Sequence, residues 1–212
     1  MLSLYFVCGT SNCPNGDLIR TLENALKGGV NCFQFREKGP NAMVGQEKEE
    51  LAKQLHLLCQ TYHVPFIIDD DIDLVKKLDA DGLHIGQKDI SVQEARQQIG
   101  NKILGLSVNN LEEYEKSEID LLDYIGVGPY HSTQSKVDAQ EAVGTSSIQA
   151  IRQVNQSLPI VAIGGIGQND IEPIIKAGAN GIAVISAIAR SKEIEQTCKS
   201  FRSRLDLALK SE

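Results

Sequence analysis

The segment Gly126-Val127-Gly128-Pro129-Tyr130-His131-Ser132-Thr133-Gln134-Ser135-Lys136 joins small residues, hydroxyls and a lysine to the end of an apolar run, Tyr124 to Val127. Such a loop can turn several backbone N–H groups and an ammonium toward one anion, as phosphate binding requires. It lacks the Gly-Lys-Ser/Thr signature of a Walker loop. A second cationic stretch, Gln34-Phe35-Arg36-Glu37-Lys38, follows Cys32-Phe33. Strand alternation puts Gln34 and Arg36 on one face and the two phenylalanines on the other. With the phenylalanines under helices, Gln34 and Arg36 point inward and Lys38 sits at the mouth. An inward arginine is costly without an anion; the bland alternative is a surface ion-pair cluster of Arg36, Glu37 and Lys38, worth little.

Asp69-Asp70-Asp71 sets three carboxylates side by side, and these repel unless solvated or neutralised. Asp71 suits the N-cap of a helix beginning at Ile72. Asp70 with Asp89, one loop beyond the next strand, could supply hard oxygen ligands to Mg²⁺, which typically uses one or two carboxylates plus substrate phosphates. Asp89 could instead cap the helix after it, the lesser alternative. Ser107 closes a strand and could bond backbone or ligand. Ile163-Gly164-Gly165-Ile166 and Ile185-Ser186 close two later strands; glycine there allows close backbone approach, or a simple turn. His84 reads as a satisfied core histidine. His131 could serve as an acid or base, but has no visible partner. No Cys/His grouping has metal-ligand spacing.

These residues recur at the ends of short apolar strands. The strands are expected at Leu4–Cys8, Cys32–Arg36, Pro65–Ile68, Gly82–Ile85, Ile103–Ser107, Tyr124–Val127, Ile160–Ile163 and Gly181–Ile185. Helical patterns lie between them, near Leu18–Lys27, Gln46–Tyr62, Ile72–Leu78, Val92–Ile99, Leu111–Ser117, Ser147–Asn155 and Asp170–Lys176, with a last helix near Ile194–Leu209. The strands are apolar on both faces, as a parallel sheet under helices requires. Asp79-Ala80-Asp81-Gly82-Leu83-His84-Ile85-Gly86 is echoed by Gly178-Ala179-Asn180-Gly181-Ile182-Ala183-Val184-Ile185, a repeated helix-to-strand passage. About eight such units predict an α/β fold, a single (β/α)₈ TIM barrel over residues 1–212. An open doubly wound sheet is the rival, without a GxGxxG after the first strand to support it. In a barrel, the C-terminal strand ends form the active site.

Composition narrows the setting. The chain has 212 residues, 42% hydrophobic and 23% charged, which suits a globular domain. Its net charge of −7 disfavours nucleic acid as a partner. No apolar run approaches a membrane span, and the first residues lack the basic region and cleavage site of a signal peptide. Five scattered cysteines (Cys8, Cys13, Cys32, Cys59, Cys198) argue against a disulfide framework. A cytoplasmic protein is expected.

Taken together, Gln34 to Lys38, Asp69-Asp70, Ala80 to Gln87, Asp89, Gly105-Leu106-Ser107, Asp123 to Pro129, Lys136, Ala162 to Ile166 and Val184-Ile185-Ser186 resemble the thiamine-phosphate synthase family in order and spacing across nearly the whole chain. The resemblance implies a homodimeric barrel that joins a pyrimidine methyl diphosphate to a thiazole phosphate with Mg²⁺, giving thiamine phosphate and pyrophosphate. By position, Gln34, Phe35, Arg36, Glu37, Lys38, Asp69, Ser107 and Lys136 would contact the pyrimidine diphosphate, with Arg36, Lys38 and Lys136 as its catalytic cations. Asp70 and Asp89 would hold Mg²⁺. Thr133, Gln134, Ser135, Gly165, Ile185 and Ser186 would hold the thiazole phosphate. The chain departs from the family pattern twice. Asp69 stands where the family usually has asparagine, and His131-Ser132 replace an aromatic-Pro step, a loss expected to loosen the loop. Two alternatives are a non-catalytic sensor of thiazole or thiamine phosphate and a thiazole tautomerase. Arg36, Lys38, Asp70 and Asp89 together argue against the tautomerase.

Overall fold

The computed structural model describes residues 2–14, 16–39, 41–132 and 142–210. Its eight strands are β1 (Leu4–Cys8), β2 (Cys32–Phe35), β3 (Phe66–Asp69), β4 (Gly82–Ile85), β5 (Ile103–Val108), β6 (Tyr124–Val127), β7 (Ile160–Ile163) and β8 (Gly181–Val184). All pair in parallel and in chain order, and β8 returns to β1 through Leu4↔Ile182 and Phe6↔Val184 to close the barrel. Closure leaves no unpaired edge. Among the described residues, no helix is long and apolar enough to cross a membrane.

Period-two alternation divides every strand between two cores. Leu4, Phe6, Phe33, Phe35, Phe66, Ile68, Leu83 and Ile125 face outward into one large cluster shared with the helices. Tyr5, Val7, Cys32, Ile67, Tyr124, Val161 and Ala183 face the barrel axis in a second, smaller cluster. The outer layer is formed by α1 (Leu18–Lys27), α2 (Gly45–Thr61), α3 (Ile72–Leu78), α4 (Val92–Ile99), α5 (Leu111–Glu115), α6 (Ser146–Val154), α7 (Ile171–Lys176) and α9 (Ile194–Leu209). Local caps fix several helix starts: Asp17 accepts from Arg20 N–H at 2.9 Å, Asp71 from Leu74 N–H at 3.0 Å, and Asn110 from Glu113 N–H at 2.9 Å.

The observed elements match the expected ones closely, with small differences at the strand ends that matter for the site. β2 stops at Phe35, although Arg36 N–H still bonds Cys8 C=O at 3.0 Å. β8 stops at Val184, and the short helix α8 (Ser186–Ala189), absent from the sequence reading, follows at once. Three 3₁₀ turns, at Thr10–Asn12, Ile119–Leu121 and Gln168–Asp170, were also not expected.

Inside the barrel, large side chains need small neighbours. Tyr124 lies over Gly105, where an added Cβ would stand 2.1 Å from its ring. Gly105→Ala is therefore expected to destabilise the fold by roughly 1–3 kcal/mol through overpacking. Urea unfolding measures this, and an unchanged midpoint would mean that the ring can move aside.

Candidate active site

The strand ends β2 to β8 open onto one pocket of about 250 Å³. Arg36 and Lys38 enter it from the chain leaving β2, Asp69 and Asp70 from β3, Asp89 from the loop after β4, and Ser107 from β5. Gly165, Ile185 and Ser186 line the opposite side. The pocket thus has a charged wall and a wall of small residues and backbone.

The charged wall is an interlocked set. The Asp69 side chain is 7% exposed, and its Oδ2 stands 3.3 Å from Arg36 Nε and 3.2 Å from Lys38 Nζ. Neither approach is aligned as a hydrogen bond, so this oxygen is buried without one. Lys38 also pairs with Asp70. Asp71 turns away, capping α3 and pairing with Lys48 at 2.6 Å. Partial burial works to raise the Asp71 carboxyl, but the Lys48 ammonium and the Leu74 N–H outweigh it and leave it below its usual value. The three adjacent carboxylates persist because each has its own cation, and only Asp69 and Asp70 face the pocket.

Asp70 reaches its position through strained backbone. Its φ is +61°, and Asp71 N–H closes a three-residue turn on Asp69 C=O at 2.8 Å. Such tight turns with positive φ are rare, and strain of this kind gathers at functional sites. Asp89 accepts from Gly86 N–H at 2.6 Å, which folds the loop after β4 back on itself.

On the opposite wall, the chain leaving β6 is strapped to the chain leaving β7. Tyr130 N–H bonds Ile163 C=O at 2.8 Å and His131 N–H bonds Gly164 C=O at 2.9 Å. Gly164 and Gly165 have φ of +107° and +66°, and a Cβ on Gly164 would stand 2.6 Å from Pro129. Only glycine satisfies both demands. His131 Nε2 lies 3.0 Å from Asp170 Oδ1, a partner the sequence did not disclose. His131 is thereby tied to the 3₁₀ turn before α7.

The Thiamine monophosphate synthase family profile matches residues 4–188. The chain belongs to this family. It is 53% identical over 208 residues to a thiamine-phosphate synthase of Streptococcus agalactiae serotype Ia, covering 98% of this chain and 93% of that protein. Identity to a thiamine-phosphate synthase of Staphylococcus epidermidis is 50% over 201 residues, covering 94% and 95% of the two chains. The solved thiamine phosphate pyrophosphorylase from Pyrococcus furiosus superposes with a TM-score of 0.85 at 29% identity, covering 98% of this chain and 97% of its own.

Of the residues singled out by resemblance to the family, Arg36, Lys38, Asp69, Asp70, Asp89, Ser107, Gly165, Ile185 and Ser186 all line the pocket. Gln34 lies deeper, 3% exposed, with its Nε2 donating to Tyr5 Oη at 2.9 Å. Phe35 packs outward against Phe66, as strand parity demands. Glu37 is buried and accepts from Thr10 N–H at 2.8 Å and Met43 N–H at 3.0 Å, binding two loops together. Thr133, Gln134, Ser135 and Lys136 lie outside the described residues. Lys88, a further cation on the pocket wall, was missed; its place in the loop after β4, beside Asp89, was the signal. His84 is both a hydrogen-bonded core histidine and a pocket residue.

The strained turn makes a test. Asp70→Gly and Asp70→Ala both delete the carboxylate, but only alanine keeps the cost of a positive φ. The glycine variant is expected to be more stable by about 1 kcal/mol. Equal thermal midpoints would mean the turn relaxes on mutation.

Proposed function

We propose that this protein is a thiamine-phosphate synthase, a transferase that joins the methylene carbon of an aminopyrimidine methyl diphosphate to the nitrogen of a thiazole phosphate. The observation that carries this is the pairing of walls in one pocket of a chain of this family: Arg36, Lys38, Asp70 and Asp89 on one side, Gly165 and Ser186 on the other. The first set has the chemistry for a diphosphate, and the second has the close-approach backbone for a monophosphate.

The reaction needs little acid–base work. The C–O bond to the diphosphate breaks and its electron pair leaves with pyrophosphate. The electron-rich ring spreads the positive charge of the methylene carbon until the thiazole nitrogen lone pair forms the new C–N bond. Such a step asks the protein for charge neutralisation, alignment and exclusion of water. Arg36 and Lys38 would hold the diphosphate in place, and Lys136 would meet it as it leaves. Ser107 would contact the pyrimidine, while Thr133, Gln134, Ser135, Gly165, Ile185 and Ser186 would fix the thiazole phosphate.

The donor set fits Mg²⁺. Asp70 and Asp89 offer hard carboxylate oxygens on one pocket, beside the buried, unaligned Oδ2 of Asp69. Two such carboxylates would suit an ion completed by substrate phosphate and water. When bound, the ion would neutralise charge on the leaving diphosphate. Lys38, shared between Asp69 and Asp70, would then be available to the phosphates. The cytoplasmic setting is supported by five free, buried cysteines, and the homodimer by family resemblance alone.

The test combines both substrates with Mg²⁺ and follows thiamine phosphate. Turnover that is lost on chelation is expected. No turnover, with thiazole phosphate still bound, would replace the synthase by a sensor. Lys136→Ala should lower turnover at least tenfold with an unchanged unfolding midpoint; the reverse outcome would make Lys136 structural.

A further inference from the structure

Two cysteines meet where β1 passes into its loop. Cys8 closes β1 and Cys13 ends the 3₁₀ turn Thr10–Asn12, and their sulfurs lie 3.7 Å apart. Both also lie against Gly9 C=O, at 3.5 Å and 3.8 Å. A disulfide bond spans about 2 Å, so the pair stands just outside bonding contact. Neither cysteine lines the pocket, and the reaction proposed above asks nothing of a thiol.

The two sulfurs are unequal. Cys13 is 7% exposed, while Cys8, Cys32, Cys59 and Cys198 are fully buried. The hydrogen bond from Cys8 holds the Cys13 thiol below its usual value against the effect of burial, with help from Thr21 and opposition from Asp17 and Glu37. Burial pushes Cys8, Cys32, Cys59 and Cys198 up, the last to about 12. A thiol attacks an oxidant through its thiolate, and only where the oxidant can reach it. Cys13 has the larger share of both, with a second thiol beside it.

The turn between the cysteines leans on the neighbouring strand. Thr10 N–H donates to Glu37 at 2.8 Å, Ser11 Oγ donates to Lys38 C=O at 3.1 Å, and a Cβ on Gly9 would stand 2.1 Å from the Arg36 carbonyl oxygen. The loop after β1 therefore rests on the backbone that carries Arg36 and Lys38 to the pocket.

We propose that Cys8 and Cys13 form a reversible dithiol–disulfide site that hydrogen peroxide oxidises, with Cys13 as the attacking sulfur and Cys8 as the resolving one. The Cys13 thiolate attacks one peroxide oxygen and the O–O bond breaks. The hydroxide that leaves takes up the proton Cys13 gave away, and Cys13 becomes a sulfenic acid. The Cys8 sulfur then bonds to the Cys13 sulfur, and the sulfenic hydroxyl departs as water with the Cys8 hydrogen. Two electrons pass from the sulfurs to the peroxide, and both thiol hydrogens end in water. A small dithiol reverses the bond by exchange. The bond closes the base of the turn that leans on Arg36 and Lys38.

Peroxide treatment of the folded protein, followed by alkylation in denaturant and tryptic mapping, tests this. Arg20 is the first basic residue, so both cysteines fall in one peptide, residues 1–20. That peptide is expected to lose two hydrogens and both alkylation sites on the order of tenfold faster than Cys32, Cys59 or Cys198 is blocked, and dithiothreitol should return both sites. Dimedone added with the peroxide should cap Cys13 and not Cys8. In Cys13→Ser, Cys8 should stay reduced over the same interval. A residue 1–20 peptide that keeps both alkylation sites would overturn the proposal, as would oxidation of the other three cysteines at the same rate. Dimedone on Cys8 in the unaltered protein, or a Cys8 that oxidises as fast without Cys13, would overturn the order of attack.

Discussion

A closed parallel barrel leaves its strands no choice of register. Each strand gives alternate side chains to the helices and to the axis, and a slip by one residue would exchange the two sets. In this protein the outward set is almost wholly apolar, while the inward set changes character with height. Leu2, Ile67 and Val161 belong to the apolar inner cluster, Tyr5, Gln34, Tyr124 and His84 are linked by hydrogen bonds, and Asp69 and Ser107 reach the pocket. The site therefore sits on a buried polar floor held by five strands. Every polar group on that floor needs a partner, because an orphan in so dry a place costs more than the bond it lost.

The charges above the floor obey the same rule at longer range. Arg36 and Lys38 share Asp69, Lys38 also takes Asp70, and Lys48 takes Asp71. Asp69 brings a carboxylate to the pocket wall, and Arg36, 13% exposed on its side chain, lies beside it. The result is a pocket whose cations are already partly answered. Any anion entering the pocket has to compete with the protein's own carboxylates for Arg36 and Lys38.

Much of this was readable before any coordinates. Eight apolar runs of four to six residues, apolar on both faces, point to a buried parallel sheet, and parity alone turned Gln34 and Arg36 inward and Phe35 outward. The charged wall was readable because Arg36, Asp70 and Asp89 lie at strand ends, where barrels do chemistry. The 3₁₀ turns were not, since three residues carry no period. Nor were the partners of the floor: Tyr5 and Tyr124 are 119 residues apart, and each looks like ordinary core when read alone. Parity also separates neighbours within Gln34 to Lys38: Phe35 packs outward against Phe66, while Glu37 is taken up by Thr10 and Met43.

The fit of Tyr124 over Gly105 also bears on how such a barrel can drift over evolutionary time. The ring's hydroxyl belongs to the polar floor, and its face occupies the volume that any side chain at position 105 would need. Neither position can be exchanged alone without a clash or a void, so sequence variation here should arrive in pairs, small with large. A descendant that lost the tyrosine would also lose the constraint on its neighbour, and the pocket floor would be open to residues that recognise a different ring. The shape of the pocket floor is tied to one steric partnership below the pocket, away from its charged wall.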